Sequence, residues 1–293
     1  MNKIPLLTTG LNGLVGSKFA ELYQARYQFD SLDLRHPTHP VDITDYETVL
    51  AVFSKSEAES VVHLAAFTNV TAAWKQRNNK DGLAYQVNVI GTQNIIQACQ
   101  ETNKHLIHIS TAYVFDGEKD GLYTEKDEAH PIEWYGQTKW EAEQAVMASN
   151  INWTILRIDQ PFRSDEFDKT DIAHRIIQGL KSNVLAPMFT NHYFGPTFVD
   201  DFAKVLDFFA KTKTQGLFHA SSGEQWTDYE FAQLIKRTHS LPGEIQAGDL
   251  EEYLKTLNRP YQQNTALDIS KLKQVIDFPL NSIEEAVAQI SIS

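Results

Sequence analysis

Three glycines spaced three apart, Gly10, Gly13 and Gly16, separate an apolar run at 3–9 from a helix-forming run at 17–27. The first run has the length and bounding glycine of a buried strand, and the second carries Phe19, Ala20, Leu22 and Tyr23 as an apolar face. A glycine loop between strand and helix turns the chain sharply and aims a helix N-terminus outward. Gly10 permits the tight turn, Gly13 lets backbone approach a pyrophosphate, and Gly16 lets helix and strand pack closely. The free amides of the first helical turn then face the phosphates. A dinucleotide site heading an alternating α/β chain is the expectation, with a plain structural turn as the alternative.

The segment 27–33 reads as a second strand ending at Asp33, about 20 residues past the loop, where a ribose diol is held. A carboxylate there suits two hydroxyls and favours NAD. Arg35 and His36 beside it could instead meet a 2′-phosphate, so NAD and NADP both stay open. Asp42 and Asp45 precede the next helix, and either could cap it. The run 60–66 reads as a third buried strand whose small residues would let a cofactor lie close, with His63 a core residue. A helix at 84–100 carries Asn88, which would be costly to bury unless it bridges backbone groups.

The apolar run 104–109 reads as a further strand, presenting Ser110 and Thr111 at the carboxyl edge of the sheet, where open α/β folds bind ligands. After a polar loop, 133–148 reads as a helix, and Tyr135 and Lys139 share one of its faces. A hydroxyl, a phenol and an ammonium make an acid suited to carbonyl chemistry. An unperturbed phenol has a pKa near 10, and the ammonium is expected to lower it. Strands at 153–157 and 215–220 complete an alternating order that predicts a mostly parallel sheet with right-handed crossovers and helices on both faces.

A formal net charge of −12 argues against nucleic acid or an anionic membrane as partner, but not against an anionic ligand held by backbone amides. Cys99 is the single cysteine, which excludes an intrachain disulfide and a thiolate metal cluster and suits a core position. No run is long enough to span a membrane. Met1 leads into a strand rather than a signal peptide, so a cytoplasmic enzyme is expected. His105, His108, His192 and the acids lack ligand spacing, and no metal is expected.

The three glycines, Asp42, the His63-Leu64-Ala65-Ala66 run, Asn88, Thr111 and the Tyr135–Lys139 pair together resemble the extended short-chain dehydrogenase/reductases. Within them, S-T-A-Y-V-F-D-G from Ser110 resembles the dTDP-4-dehydrorhamnose reductase branch. So do F-G-P-T-F-V-D-D-F-A from Phe194 and the segment from Arg259-Pro260 to Lys271-Leu272. The resemblance implies an α/β, Rossmann-type doubly wound parallel sheet with a smaller C-terminal α/β substrate-binding domain. By analogy the cofactor domain takes 1–157 and 197–223, and the substrate domain 158–196 and 224–293.

The resemblance also assigns roles. Gly10, Asn12, Gly13, Leu14, Val15, Asp33, Asp42, Ile43, Leu64, Ala65 and Ala66 would line NAD(P)H, together with Tyr135 and Lys139. Thr111, Tyr135 and Lys139 would be catalytic: Thr111 holding the substrate carbonyl, Tyr135 exchanging its proton, Lys139 donating to the nicotinamide ribose. The substrate would be a nucleotide sugar met by Ala112 and by Arg259, whose planar fork suits a diphosphate; a surface Arg closing a loop is the alternative for Arg259. The chain departs from the branch at Ala112, where an Asp is usual, and at Asp159-Gln160, which replace the end of an L-R-T-S-W string. Both changes are expected at the wall facing the sugar. Three functions stay open: a 4-keto nucleotide-sugar reductase (favoured), a nucleotide-sugar epimerase, and a non-catalytic NAD(P)-binding regulatory subunit. A homodimer is an open assembly.

Overall fold

A computed structural model describes residues 3–34, 36 and 39–292. Arg35, the alternative partner of a 2′-phosphate, lies outside the described residues. Six parallel strands form the central sheet: β1 (Ile4–Thr9), β2 (Tyr27–Leu32), β3 (Ser60–His63), β4 (His105–Thr111), β5 (Trp153–Ile158) and β6 (Gly216–His219). Their order is β6-β5-β4-β3-β1-β2. The chain runs outward from β1 to β2, then crosses back to β3, so the order reverses between β1 and β3. Such a reversal opens a crevice at the carboxyl ends of the strands.

Strand alternation sorts the apolar side chains onto two faces. Leu6, Val62, Ile107 and Leu156 pack with Phe19 of the helix Leu14–Tyr23 and with Phe202, Val205 and Phe209 of the helix Val199–Thr212. Their neighbours Leu7, Val61, Leu106 and Ile155 pack on the opposite side with Val49, Phe53, Ile95, Cys99 and Val146. A separate core joins Phe162, Ile176, Phe194, Phe231, Ile235, Ile283 and Val287. It is built mainly from the helices Ile172–Lys181, Asp228–Thr238 and Ile283–Ala288.

Several boundaries differ from the sequence expectation, each for a local reason. The helix after the glycine loop begins at Leu14, capped by Gly13, and ends at Tyr23, leaving Tyr27 to β2. Strand β3 stops at His63. Gly10 turns β1 away with φ +67, so the Leu64 amide takes the last carbonyl, that of Thr9, and the Ala65 amide bonds the Thr9 hydroxyl. Asp45 caps the helix Tyr46–Lys55 through Thr48, whereas Asp42 closes a turn onto the Thr44 amide at 2.9 Å. The expected helix at 84–100 is Leu83–Tyr85, a π-helical stretch Gln86–Gly91, and then Thr92–Thr102.

Candidate active site

The glycine loop closes on its surroundings more tightly than its spacing alone conveys. A Cβ on Gly10 would stand 2.7 Å from the Ala65 amide nitrogen, so the loop lies directly on the segment following β3. A Cβ on Gly16 would meet the Leu11 carbonyl oxygen at 2.6 Å. The close approach that requires Gly16 is therefore to its own loop rather than to a strand. Gly13 caps the helix without any side-chain hydrogen bond. The first-turn amides are thus left without a side-chain cap, the condition under which a helix N-terminus takes an anion. Asp33 follows β2 directly and accepts the Asn12 amide through Oδ2 at 3.1 Å, tying the loop to the second strand. Leu64, Ala65 and Ala66 are half-buried at the sheet edge. Ile43 is buried instead, its side chain 2.6 Å from where a Cβ on Gly91 would lie and its carbonyl bonded by Asn94. The cradle, with its uncapped helix and close loops, fits a dinucleotide.

Strand β4 carries the chemistry. Its pairing with β3 ends at His63↔His108, but its pairing with β5 continues to Thr111↔Ile158. The three extra residues project Ser110 and Thr111 past the crevice floor. Tyr135 and Lys139 stand one turn apart on the helix Trp134–Ala148 and are both buried. The Thr111 hydroxyl accepts the Tyr113 amide at 3.2 Å and stands near enough to the Tyr135 phenol to favour its ionised form. The structure thus brings the three expected catalytic side chains to one place.

The electrostatics differ from expectation. Burial pushes the Tyr135 phenol well up, the nearby Thr111 hydroxyl opposes this, and the charges of Glu133 and Asp159 add to the rise. Lys139 stands one turn further along the helix, its side chain turned toward β4. Its ammonium donates to the Ile109 carbonyl at 2.7 Å and lies 3.4 Å from His108 Nε2. Burial brings Lys139 itself down to about 8, against an opposing pull from Glu143. His108, beneath it, is held well below the usual imidazole range by burial and by the charge of Lys139. A shared face fixes proximity; hydrogen-bond partners decide which charge acts on which group.

Residues without a sequence signal hold this helix in place. Glu133 is its N-cap, accepting the Tyr135 amide at 2.7 Å and the Gly136 amide at 2.5 Å. Glu is not among the preferred N-caps, which hid the role. Burial raises the Glu133 carboxyl to about 7 against these two hydrogen bonds. A Cβ on Gly136 would lie 2.1 Å from the Tyr113 carbonyl oxygen, so only glycine lets the helix seat on the turn after Thr111. Asn88 does bridge backbone: it bonds both the amide and the carbonyl of Phe67 and reaches the Thr138 hydroxyl at 2.9 Å. His63 is a core residue, with Nδ1 2.6 Å from the Thr9 hydroxyl and Nε2 3.0 Å from that of Thr92.

Toward the second core, the Tyr113 ring meets Tyr135 edge-on at 5.9 Å and the Tyr261 ring meets His192 edge-on at 5.2 Å, while the charge of Asp159 acts on Tyr135 and Tyr113. The charge of Arg259 acts on Glu133, Tyr113 and Tyr261, and its guanidinium lies 4.9 Å from the Tyr261 ring centroid. Its Nη1 bonds the Pro260 carbonyl, while its buried Nε has no partner. Ala112 packs instead with Val114, Phe115, Tyr123 and Leu267. It is fully buried, so its methyl does not form an open wall of the pocket.

A model of the family described as RmlD substrate binding domain matches residues 4–292. The chain belongs to this family. A dTDP-4-dehydrorhamnose reductase of Aggregatibacter actinomycetemcomitans is 28% identical over 97% of this chain and 97% of that protein. Methionine adenosyltransferase 2 subunit beta of Rattus norvegicus is 30% identical over 92% of this chain and 81% of its own length. Among solved structures, the NADP complex of dTDP-4-dehydrorhamnose reductase from Bacillus anthracis str. Ames superposes with a TM-score of 0.88 at 25% identity, covering 99% of both chains. The expected family and the Rossmann-type α/β fold with its parallel central sheet hold. No described helix is long and apolar enough to cross a membrane.

Proposed function

We propose that this member of the family is an NAD(P)H-dependent reductase of a 4-keto nucleotide-diphosphate sugar. The observation that carries the reading is the convergence of Thr111, Tyr135 and Lys139 at the carboxyl edge of β4, beside the glycine cradle. Full-length similarity to reductases of such sugars supports it. The nicotinamide supplies hydride when bound. Thr111 holds the substrate carbonyl and Tyr135 gives its oxygen a proton. Burial keeps the phenol protonated at neutral pH, the form a proton donor for reduction requires. Lys139, fixed on the Ile109 carbonyl, holds positive charge below the site for the phenolate that remains. Arg259, with a free Nε beside Tyr113, takes the diphosphate, and the substrate half is the part built around the second core. Asp33, fixed beside the loop, receives the adenosine ribose.

A regulatory reading is favoured by one observation, the 30% identity to a methionine adenosyltransferase beta subunit. Keto nucleotide sugars, dTDP-4-dehydrorhamnose among them, supplied with NADH or NADPH separate the two. Stoichiometric cofactor oxidation is expected, and Tyr135→Phe should lower kcat by about 10²–10⁴-fold. Sugar interconversion without net oxidation would make the protein an epimerase. Cofactor binding without turnover of any keto sugar would make it a regulatory subunit.

A further inference from the structure

We propose that Asp159 is a specificity-determining residue of the substrate site, whose Oδ1 accepts a hydrogen bond from the sugar hydroxyl next to the ketone. The proposal rests on the reductase reading above. Asp159 follows β5 directly and is only 2% exposed. Its Oδ2 is fully engaged, accepting the Gly195 amide at 2.9 Å and the Thr265 hydroxyl at 2.7 Å. Its own amide bonds the Thr197 hydroxyl at 3.0 Å. The residue is therefore held by two segments, its carboxyl by Gly195 and Thr265 and its amide by Thr197, and cannot swing to find solvent. Oδ1 is equally buried and has no hydrogen bond of ordinary geometry; the adjacent Gln160 amide exerts only the weakest pull on the carboxyl.

A buried acceptor left unpaired is costly, and proteins seldom keep one unless a ligand or water completes it. The position indicates which ligand group does so. The charge of Asp159 acts on both Tyr135, the proton donor, and Tyr113. With Thr111 and Tyr135 occupied by the ketone oxygen, the neighbouring donor on a sugar ring is the adjacent hydroxyl. Burial raises the Asp159 carboxyl to about 7, against the Gly195 and Thr265 hydrogen bonds and the charge of His192. A hydroxyl donor offsets part of that cost without bringing a charge into the site. At 156–160 the chain reads L-R-I-D-Q, so this carboxyl stands where the resembling branch carries an uncharged residue.

The clamp and the recognition role separate experimentally in Asp159→Asn. The amide oxygen can still accept from Gly195 and Thr265, while the NH₂ group replaces Oδ1 and turns an acceptor into a donor. Steady-state kinetics at saturating cofactor would compare a keto nucleotide sugar with its analogue lacking the adjacent hydroxyl. The wild type should prefer the hydroxylated substrate by about 10–100-fold, the value of a hydrogen bond to a charged acceptor. Asp159→Asn should lose that preference by lowering kcat/KM for the hydroxylated substrate alone, with cofactor Kd held and the variant fully folded at the assay temperature. Asp159→Ser, which empties the pocket side, should lose it too and serves if the Asn variant folds poorly. Equal losses on both substrates, or an unchanged preference, would overturn the proposal. A wild type inactive on every keto sugar would instead sink the reductase reading. Calorimetric binding of the two nucleotide sugars to wild type and variant then still decides the role of Asp159 by the same difference.

Discussion

Gly136→Ala tests the seating of the catalytic helix. The new Cβ would lie 2.1 Å from the Tyr113 carbonyl oxygen and 2.9 Å from Glu133 Oε1. Non-bonded heavy atoms settle at about 3.5 Å, so the helix and the turn must part by about 1 Å. Neither side yields cheaply: the turn is joined to Thr111, which bonds its own Tyr113 amide, and Glu133 is engaged in capping. Tyr135 rides on the helix and Thr111 on the turn, so the separation opens the site itself. A misplacement of about 1 Å costs about 10²-fold in rate. Overpacking costs about 1–3 kcal/mol, and Ala returns up to about 1 kcal/mol of helix propensity. The expected result is a loss of about 10²-fold in single-turnover cofactor oxidation, a modest fall in urea midpoint, and unchanged cofactor affinity, because the glycine cradle is untouched. Activity within threefold of wild type would refute the reasoning.

Two further outcomes are expected. Glu143→Gln should cost about 3–5 kcal/mol in urea unfolding, because Arg157, buried with it and bonded at 2.9 and 2.6 Å, would be left with an uncompensated charge; a loss below about 1 kcal/mol would show that the pair is dispensable. Asp159 should make stability fall with rising pH. Its folded pKa of about 7 lies above the ordinary carboxyl value of 3.8, so its contribution is whole below about pH 4 and lost as pH rises through 7. Tyr113, Tyr135 and His192 face it, so a difference curve of wild type minus Asp159→Asn isolates the effect, and a flat difference between pH 4 and 8 would count against it.

What could be read from the sequence was local. Thr111 at a strand end and Tyr135 and Lys139 one helical turn apart follow from periodicity, and the glycine loop from its place between strand and helix. What could not be read depends on partners far along the chain. Asp159 meets Gly195 and Thr265, and Asn88 meets Thr138, through contacts no spacing rule encodes. The same distance misplaced one expectation and hid one anchor. Ala112 turns into a packed cluster closed by Leu267, and the Lys139 ammonium is fixed on a β4 carbonyl. Even Gly16 is explained by Leu11, a neighbour in sequence whose approach depends on how the loop folds back.

The π-helical stretch Gln86–Gly91 sets a rule about length rather than composition. It holds Asn88 against the Phe67 backbone on one side and Thr138 on the other. Removing one residue would let the stretch relax into ordinary helix, in which each residue turns the chain by about 100°. Everything ahead of the deletion would then rotate relative to the catalytic helix, and Asn88 could keep at most one of its two anchors. Many side chains along 86–91 can be exchanged; the number of residues cannot, and an insertion or deletion here would be felt at Tyr135 without touching it.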